Sequence, residues 1–270
     1  MNKEFKFLLL TDPHFFKNSL GAYGKGYEEL MEREQKCFAE TEAINRAAIE
    51  YLKKFNETDT ILIAGDLSFN GEKESHEEYS KLLGELKDSG KKIYVVTAGH
   101  DVQPEPFCYP GTDERMPAEG IKFDELLNYY HDFGYDTAIA FNREHMSYVA
   151  QLADGIRLLV ICNDTANGRN VTYTDEFLAW MKAQVVKAKE DGQMIFAMEH
   201  YPVLPGQPIL GFIGDATQKE SQKLIETLAD NDGNMILSDG LVLQEEKYCR
   251  KFIGKDIIPK NNACELYFEE

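Results

Sequence analysis

Asp12 and His14 are the first residues of this sequence whose types and spacing could bind a metal ion. They follow a short apolar run, Phe7 to Leu10, that is typical of a buried strand. In an extended chain, side chains two positions apart project to the same side. Pro13 disfavours the helical region for the residue before it, so we expect Asp12 to be extended. A carboxylate beside an imidazole suits Mn, Fe or Zn better than Ca or Mg.

Three later apolar runs share this arrangement, because each is followed closely by an acidic residue or a histidine. These runs and the residues after them are 60–64 with Gly65 and Asp66, 93–97 with His100 and Asp101, and 194–199 with His200. Parallel strands end at one edge of a sheet, so we expect these side chains to meet there. Four strands with such endings are hard to produce by chance. The sequence therefore predicts a metal site, in which Asp66 could bridge two cations.

The elements that must position these residues alternate between short apolar strands and longer helical patterns, which indicates a layered α/β domain. We predict strands at 5–11, 60–64, 93–97, 147–152, 156–162, 194–199 and 235–238. Apolar residues three and four apart predict helices at 30–55, 75–89, 123–132, 175–190 and 217–230. No linker divides the chain, so residues 1–270 are predicted to form a single domain.

Two segments rich in glycine and proline, 15–29 and 99–121, are predicted to be long loops. Loops of this length often form the walls of a site. The glycines between 21 and 26 lack the Gly-Lys-Ser/Thr ending of a phosphate-binding loop, so a role in turns is the better interpretation. Together with the segment 201–216, these loops are where we expect substrate specificity to lie.

The composition is acidic, with a formal net charge of -18 and a pI near 4.8. Nucleic acids and anionic membranes are bound through clustered Lys and Arg, so neither kind of partner is expected. A small phosphorylated substrate is compatible with the charge, because bound cations can reverse the sign of an acidic pocket. Five widely spaced cysteines without a CxxC pair indicate reduced thiols, and no signal peptide or membrane-spanning segment is evident. We therefore expect a cytoplasmic protein.

In order and spacing, the motifs D-x-H, G-D, a degraded G-N-H-D and H-x-P resemble the calcineurin-like metallophosphoesterase family over about residues 5–243. Three further segments, 69–72, 132–135 and 147–150, resemble a bacterial branch of that family. The resemblance implies a four-layer αββα sandwich of two mixed sheets flanked by helices, with the site at the carboxyl ends of the strands. It also implies a metal-dependent phosphoesterase that hydrolyses a phosphomonoester or a phosphodiester.

The resemblance assigns metal ligands position by position. Asp12, His14 and Asp66 match the ligands of a first metal, and Asp66 also bridges to a second metal that uses His200. In a two-metal site the cations bind the phosphoryl oxygens and activate a water for in-line attack.

The resemblance also implies a catalytic pair. His100 matches the histidine that the family places near the leaving-group oxygen, and Asp101 matches the acidic residue beside it. His100 would stabilise developing charge or donate a proton to the leaving group.

The sequence departs from the family pattern at the second metal. Gly99 stands where G-N-H-D supplies an Asn, and the strand at 234–238 is followed by Asp239 instead of the motif G-H-x-H. The first metal keeps three protein ligands, which with water make a workable open site. The second keeps only two, so we expect one firmly bound Mn, Fe or Zn ion and a second that is weak or absent.

Two functions of different classes remain. The first is a metal-dependent phosphoesterase with a weakened second site, and the alternative is a catalytically impaired protein of the same fold that acts as a binding or scaffold module. The lost ligand positions favour the alternative, whereas the retained His100, Asp101 and His200 disfavour it. The histidines at 76, 131 and 145 have no partner motif and are interpreted as packing or surface residues, and nothing in the sequence specifies an oligomeric state.

Overall fold

A computed structural model describes residues 5–32, 37–163 and 173–200, with short segments at 223–224, 226–228, 236–237, 258–260 and 263–266. Its strands are β1 (Phe5–Leu10), β2 (Ala22–Tyr23), β3 (Thr60–Ala64), β4 (Lys92–Val96), β5 (Phe107–Pro110), β6 (Met116–Pro117), β7 (Ala140–Asn142), β8 (Ser147–Ala153), β9 (Ile156–Ile161), β10 (Met194–Glu199), β11 (Ile236–Leu237), β12 (Ile258–Lys260) and β13 (Ala263–Leu266). Its α-helices are α1 (Lys25–Met31), α2 (Thr41–Lys54), α3 (Lys73–Asp88), α4 (Leu126–Tyr130) and α5 (Asp175–Glu190). Short 3-10 turns lie at 18–20, 38–40 and 123–125, and a π turn lies at 131–135.

Most of the strands form two five-stranded sheets with the orders β12-β13-β1-β3-β4 and β11-β10-β9-β8-β7. In the first sheet β1, β3 and β4 run parallel, and in the second β9, β10 and β11 do so. The pairs at the other side of each sheet, β12–β13 and β13–β1 in the first and β7–β8 and β8–β9 in the second, are antiparallel, so both sheets are mixed. Leu9 pairs with Leu62, which pairs with Tyr94. The carboxyl ends of β1, β3 and β4 therefore lie at one edge of the sheet.

The two sheets face each other across an apolar core. Phe7 of β1 stacks on Phe196 of β10 with ring centroids 5.8 Å apart. The opposite face of the first sheet packs against α2 and α3, and the opposite face of the second packs against α5. This order of helices, sheet, sheet and helix confirms the four-layer αββα sandwich. The longest described helices, α3 and α5, have 16 residues each and carry several charges, and none of the described helices could span a membrane.

The predicted strands all correspond to observed ones, and the predicted helices at 75–89, 123–132 and 175–190 correspond to α3, α4 and α5. The predicted helix at 217–230 is helical at its described residues, 223–224 and 226–228. Thr174 caps α5, since its side chain accepts a hydrogen bond from the Phe177 amide at 3.1 Å.

The prediction of one helix over 30–55 is wrong, because the chain there forms α1, a 3-10 turn and α2. The hydroxyl of Thr41 accepts a hydrogen bond from the Phe16 amide at 3.0 Å and donates to the Phe38 carbonyl at 3.1 Å. These bonds tie the start of α2 to the segment after β1. A threonine hydroxyl that competes for backbone groups in this way favours a helix terminus over a helix interior.

The segments predicted as long loops, 15–29 and 99–121, contain short strands that pair with each other in a third sheet, β2-β5-β6. Glycine permits the close approach of these segments. A Cβ atom at Gly24 would lie 2.8 Å from the backbone of Gly111, and one at Gly26 would lie 2.5 Å from the carbonyl of Asp113. The glycines serve chain packing, which agrees with the interpretation that they do not bind phosphate.

Candidate metal centre

The residues that we selected from the sequence lie at the carboxyl ends of four parallel strands. Asp12 and His14 follow β1, and Asp66 follows β3. His100 follows β4 in the same sheet, and His200 follows β10 in the facing sheet. The structure brings these five side chains together between the sheets.

The carboxylate of Asp66 is at the centre of the group. Its Oδ2 atom lies 3.5 Å from Nε2 of His14, 3.4 Å from Nε2 of His200 and 4.0 Å from Nε2 of His100. Asp12 joins through its Oδ1 atom, 3.4 Å from Nε2 of His14. Two overlapping sets, His14–Asp66–His100 and Asp12–Asp66–His200, each offer three ligand atoms within 4.8 Å of one another. Asp66 belongs to both sets, which is the position that a bridging ligand needs.

Three of these residues adopt a backbone conformation that is uncommon outside glycine. Asp12, His14 and Asp66 have φ angles of 50°, 39° and 51°. The left-handed region costs about 1–2 kcal/mol per residue, and residues held there cluster at functional sites. The amide of His14 donates to the carbonyl of Asp66 at 2.9 Å, so each of the two loops holds the other. The expectation that Pro13 keeps Asp12 extended is wrong, because Asp12 enters the left-handed region instead.

Backbone carbonyls fix the protonation of two of the histidines. Nδ1 of His200 donates to the carbonyl of Ala64 at 2.9 Å, and Nδ1 of His100 donates to the carbonyl of Phe69 at 2.7 Å. A carbonyl oxygen can only accept, so the proton of each neutral ring is on Nδ1 and a lone pair on Nε2 faces Asp66. Metal-binding histidines have this same arrangement, with the other ring nitrogen bonded to a carbonyl or carboxylate.

The charges in the group suit a cation. Burial acts to raise the pKa of Asp66, but the charge and hydrogen bond of His200 and the charges of His100 and His14 outweigh it and hold that pKa well below its usual range. Burial likewise opposes ionisation of Asp12, and the hydrogen bond with His14 and the charge of His200 bring its pKa below its usual value. Both carboxylates are therefore anionic at neutral pH.

The ligand atoms present fit a divalent transition metal. Carboxylate oxygens and imidazole nitrogens match Mn, Fe or Zn. Nδ1 of His14 is buried and has no hydrogen-bond partner among the described residues, which is unusual for a buried polar atom. Gly99 offers no side chain to a metal, while Asp239 and Asp164, which follow predicted strands, lie outside the described residues.

Asp101 has a different position from the other five residues. Its side chain is fully buried, and its Oδ1 accepts hydrogen bonds from the amide of Ser68 at 2.8 Å and the hydroxyl of Ser68 at 3.2 Å. Its Oδ2 accepts from the amide of Ala98 at 2.8 Å. Burial, with the charge of Asp66, raises the pKa of Asp101 to about 8. The carboxylate thus joins the loop after β3 to the turn after β4.

Phe69 and Gly65 support the site, and the sequence marked only Gly65, through the G-D motif. The carbonyl of Phe69 orients His100, and the ring of Phe69 lies edge-on to His14 with centroids 6.0 Å apart. Gly65, at φ 86°, packs directly against His200. A carbonyl carries no residue-type signature, so the role of Phe69 requires the structure.

The three remaining histidines have packing or surface positions. His76 is buried in α3, and the ring of His145 stacks on Phe177 with centroids 3.9 Å apart. His131 is exposed and lies 2.8 Å from the carboxylate of Asp132.

Glu72 is a buried carboxyl group beside the loop that supports His100. Its Oε2 accepts a hydrogen bond from the amide of Asn70 at 3.2 Å. Burial raises the pKa of Glu72 to about 7, because hydrogen bonds from backbone amides offset only part of the cost of burying the charge. The native protein therefore keeps a proton that the unfolded chain releases above its ordinary carboxyl pKa.

We expect Glu72 to make stability depend on pH. Because the pKa of Glu72 is higher in the native protein than in the unfolded chain, its protonation adds to the free energy of unfolding at pH 4.5. This contribution, up to about 3 kcal/mol, is lost as the pH rises to about 7. Glu72→Gln cannot titrate. The free energy of unfolding in urea is measured on protein stripped of metal by a chelator. Relative to the unchanged protein, that of the variant should rise by about 3 kcal/mol between pH 4.5 and pH 8. A relative stability that is the same at both pH values would contradict this assignment.

Comparison with known proteins agrees with the fold. The sequence profile of a family described as "Calcineurin-like phosphoesterase" matches residues 5–238. Among solved structures, a dimetal phosphatase from Danio rerio superposes with a TM-score of 0.60 at 10% identity, covering 87% of this chain and 80% of that one. A purple acid phosphatase from yellow lupin (Lupinus luteus) seeds has a TM-score of 0.48 at 10% identity, covering 87% of this chain and 38% of that one. No curated protein sequence matches the chain.

Proposed function

The chain belongs to the calcineurin-like phosphoesterase family, and from this premise we propose that it is a hydrolase of a small phosphomonoester or phosphodiester that depends on a divalent transition metal. The observation that carries the proposal is the position of Asp66, whose Oδ2 lies within 4.0 Å of three histidine Nε2 atoms. A bound Mn, Fe or Zn ion supplies Lewis-acid activation of the phosphoryl group and lowers the pKa of water.

We assign the ligands as the family pattern implies, which divides them differently from the two groups defined by distance. Asp12, His14 and Asp66 would hold the first cation, and Asp66 with His200 would hold the second. The second pair gains no side chain from Gly99, so it binds its cation more weakly than the first. One metal is firmly held under this proposal, and the other is weak or absent.

His100 is assigned to the leaving group of the substrate. Its side chain is 27% exposed, compared with 9% for His14 and 11% for His200, so it is the most accessible of the three site histidines. With Nδ1 bonded to the Phe69 carbonyl, Nε2 is the atom that faces the site. Donation of a proton from Nε2 requires a ring with a hydrogen on both nitrogens, and the carboxylate atom Oδ2 of Asp66 lies 4.0 Å from Nε2.

Asp101 is assigned an indirect part in the same step. Its hydrogen bonds to Ser68 and Ala98 shape the turn that presents His100. In the catalytic pair, His100 thus contacts the substrate and Asp101 positions His100.

A binding or scaffold role without turnover is the second candidate. The missing side chain at Gly99 favours it, because a site with few ligands need not retain two metals. The orientation of His100 and His200 by carbonyls turns the Nε2 atom of each ring towards Asp66, as metal chemistry requires, and favours the enzyme.

Restoration of activity by metal tests the proposal. Protein treated with a chelator and then dialysed should be inactive towards chromogenic phosphomonoesters and phosphodiesters, and added Mn should restore hydrolysis, because the site residues alone supply no Lewis acid. Hydrolysis no faster than the enzyme-free blank with Mn, Fe and Zn in turn would refute the enzyme and leave the scaffold role.

A further inference from the structure

The turn 98–101, which carries His100, is held by a buried pair of residues outside the metal centre. Nε2 of His76, in α3, lies 2.9 Å from the carbonyl oxygen of Asp101. Nδ1 of the same ring lies 2.7 Å from the hydroxyl of Tyr130, at the end of α4. Both side chains are fully buried. Two helices on the outer side of the first sheet are thereby connected to the residue next to His100.

The direction of these hydrogen bonds is determined by chemistry. The carbonyl of Asp101 can only accept, so Nε2 of His76 carries a hydrogen. Burial lowers the pKa of His76 to about 4, so the ring is neutral at pH 7 and its Nδ1 is an acceptor. The Tyr130 hydroxyl therefore donates to Nδ1. Without this donor the buried Nδ1 would lack its partner, and the ring would be held at Asp101 by one hydrogen bond instead of being fixed by two.

The same turn is tied to the metal centre at its other side. The amide of His100 donates to Oδ1 of Asp66 at 3.1 Å, and the amide of Asp101 donates to the carbonyl of Ala98 at 2.9 Å. The His76 bond adds a second fixed point to the turn, at the carbonyl of Asp101. A shift of about 1 Å in a catalytic group can lower a rate by about a hundredfold, so a small change in this turn is enough to matter.

We propose that Tyr130 and His76 are positioning residues, which fix the turn 98–101 so that His100 keeps its place beside Asp66. This inference rests on the proposed function for its kinetic consequence, but not for its structural one. It concerns two buried residues that touch neither substrate nor metal.

Tyr130→Phe removes only the hydroxyl that donates to Nδ1 of His76, and it leaves that buried nitrogen without this partner. We expect kcat to fall about tenfold while KM and metal content stay within twofold, because the ligands are untouched and His100 alone is displaced. Amide hydrogen exchange across 98–101 should become faster. His76→Leu removes both hydrogen bonds. It should show a larger fall in kcat, again with KM and metal content little changed and with faster exchange at 98–101.

Tyr148→Phe is the matched control. Tyr148 is also fully buried, and its hydroxyl bonds to the carbonyl of Val95 at 2.9 Å, within β4 and before the turn. Tyr148→Phe should lose about as much stability as Tyr130→Phe, but its kcat and its rate of amide hydrogen exchange at 98–101 should stay those of the unchanged protein. An equal fall in kcat in both tyrosine variants, or unchanged exchange at 98–101 in Tyr130→Phe, would overturn the proposal. If the unchanged protein hydrolyses no phosphoester, the proposed function fails, and the exchange experiment still decides whether the pair holds the turn.

Discussion

Asp66→Asn should remove firm metal binding and lower phosphoester hydrolysis by at least about a hundredfold, since even residues that merely orient metal ligands cost 10–100-fold when changed. Asp66 is the one residue shared by both ligand sets. An amide has the shape of the carboxylate but lacks its charge and is a poorer ligand. Metal content after dialysis and the rate in added Mn measure the effect.

The variant should still fold, which separates loss of metal from loss of structure. Asn tolerates the left-handed region in which Asp66 lies, at φ 51°, and it can accept the hydrogen bond from the His100 amide. Asp132→Asn is the control, because Asp132 is an exposed aspartate beside His131. A folded Asp66→Asn protein that keeps its metal and a rate within fivefold of the original would show that the ligand assignment is wrong.

Gly65→Ala should destabilise the protein by about 2–5 kcal/mol and disturb the site. Gly65 has φ 86°, which costs a residue with a Cβ about 1–2 kcal/mol. An added Cβ would also lie 2.6 Å from Cβ of His200, and overpacking of this kind costs about 1–3 kcal/mol. His200 must move, so its bond to the Ala64 carbonyl weakens and the second cation loses a ligand. Urea unfolding and metal titration measure the two effects.

Gly155→Ala separates strain from collision. Gly155 has φ 83°, close to that of Gly65, but a Cβ there would meet nothing within 4 Å. It should lose about 1–2 kcal/mol through backbone strain alone and keep its metal binding. Equal losses of stability and of metal binding in Gly65→Ala and Gly155→Ala would mean that the position of His200 does not depend on Gly65.

The position of the metal centre could be predicted because it follows from strand order and residue type. Asp12, Asp66, His100 and His200 each come shortly after a buried apolar run, and parallel strands end together. The layered α/β class could be predicted because short strands and amphipathic helices alternate along the chain. Both features depend on local sequence and a simple rule of sheet geometry. The four-layer αββα order, by contrast, is implied by the resemblance to the family.

Other features could not be predicted, because they depend on contacts between distant segments. The left-handed φ of Asp12 is held by hydrogen bonds between the loops after β1 and β3, and single-residue propensity favours an extended conformation there. The break before α2 depends on a hydrogen bond between Thr41 and Phe16, 25 residues apart. The support of His100 by the Phe69 carbonyl would be the same with many other residue types at position 69.

Several sequence-based expectations stay predictions. The roles of the specificity loop at 201–216 and of Asp239 concern residues outside the described ranges. A single domain over 1–270 and a cytoplasmic location likewise rest on the sequence alone.

Metal stoichiometry after exhaustive dialysis is the most direct test that this chain is a metal-dependent phosphoesterase with one firm and one weak site. Elemental analysis of the unchanged protein should find about one Mn, Fe or Zn per chain, because three protein ligands make a workable site whereas two do not. A second equivalent should bind only in excess metal. Retention of no metal would contradict the central claim, and retention of two would contradict the weakness assigned to the second site.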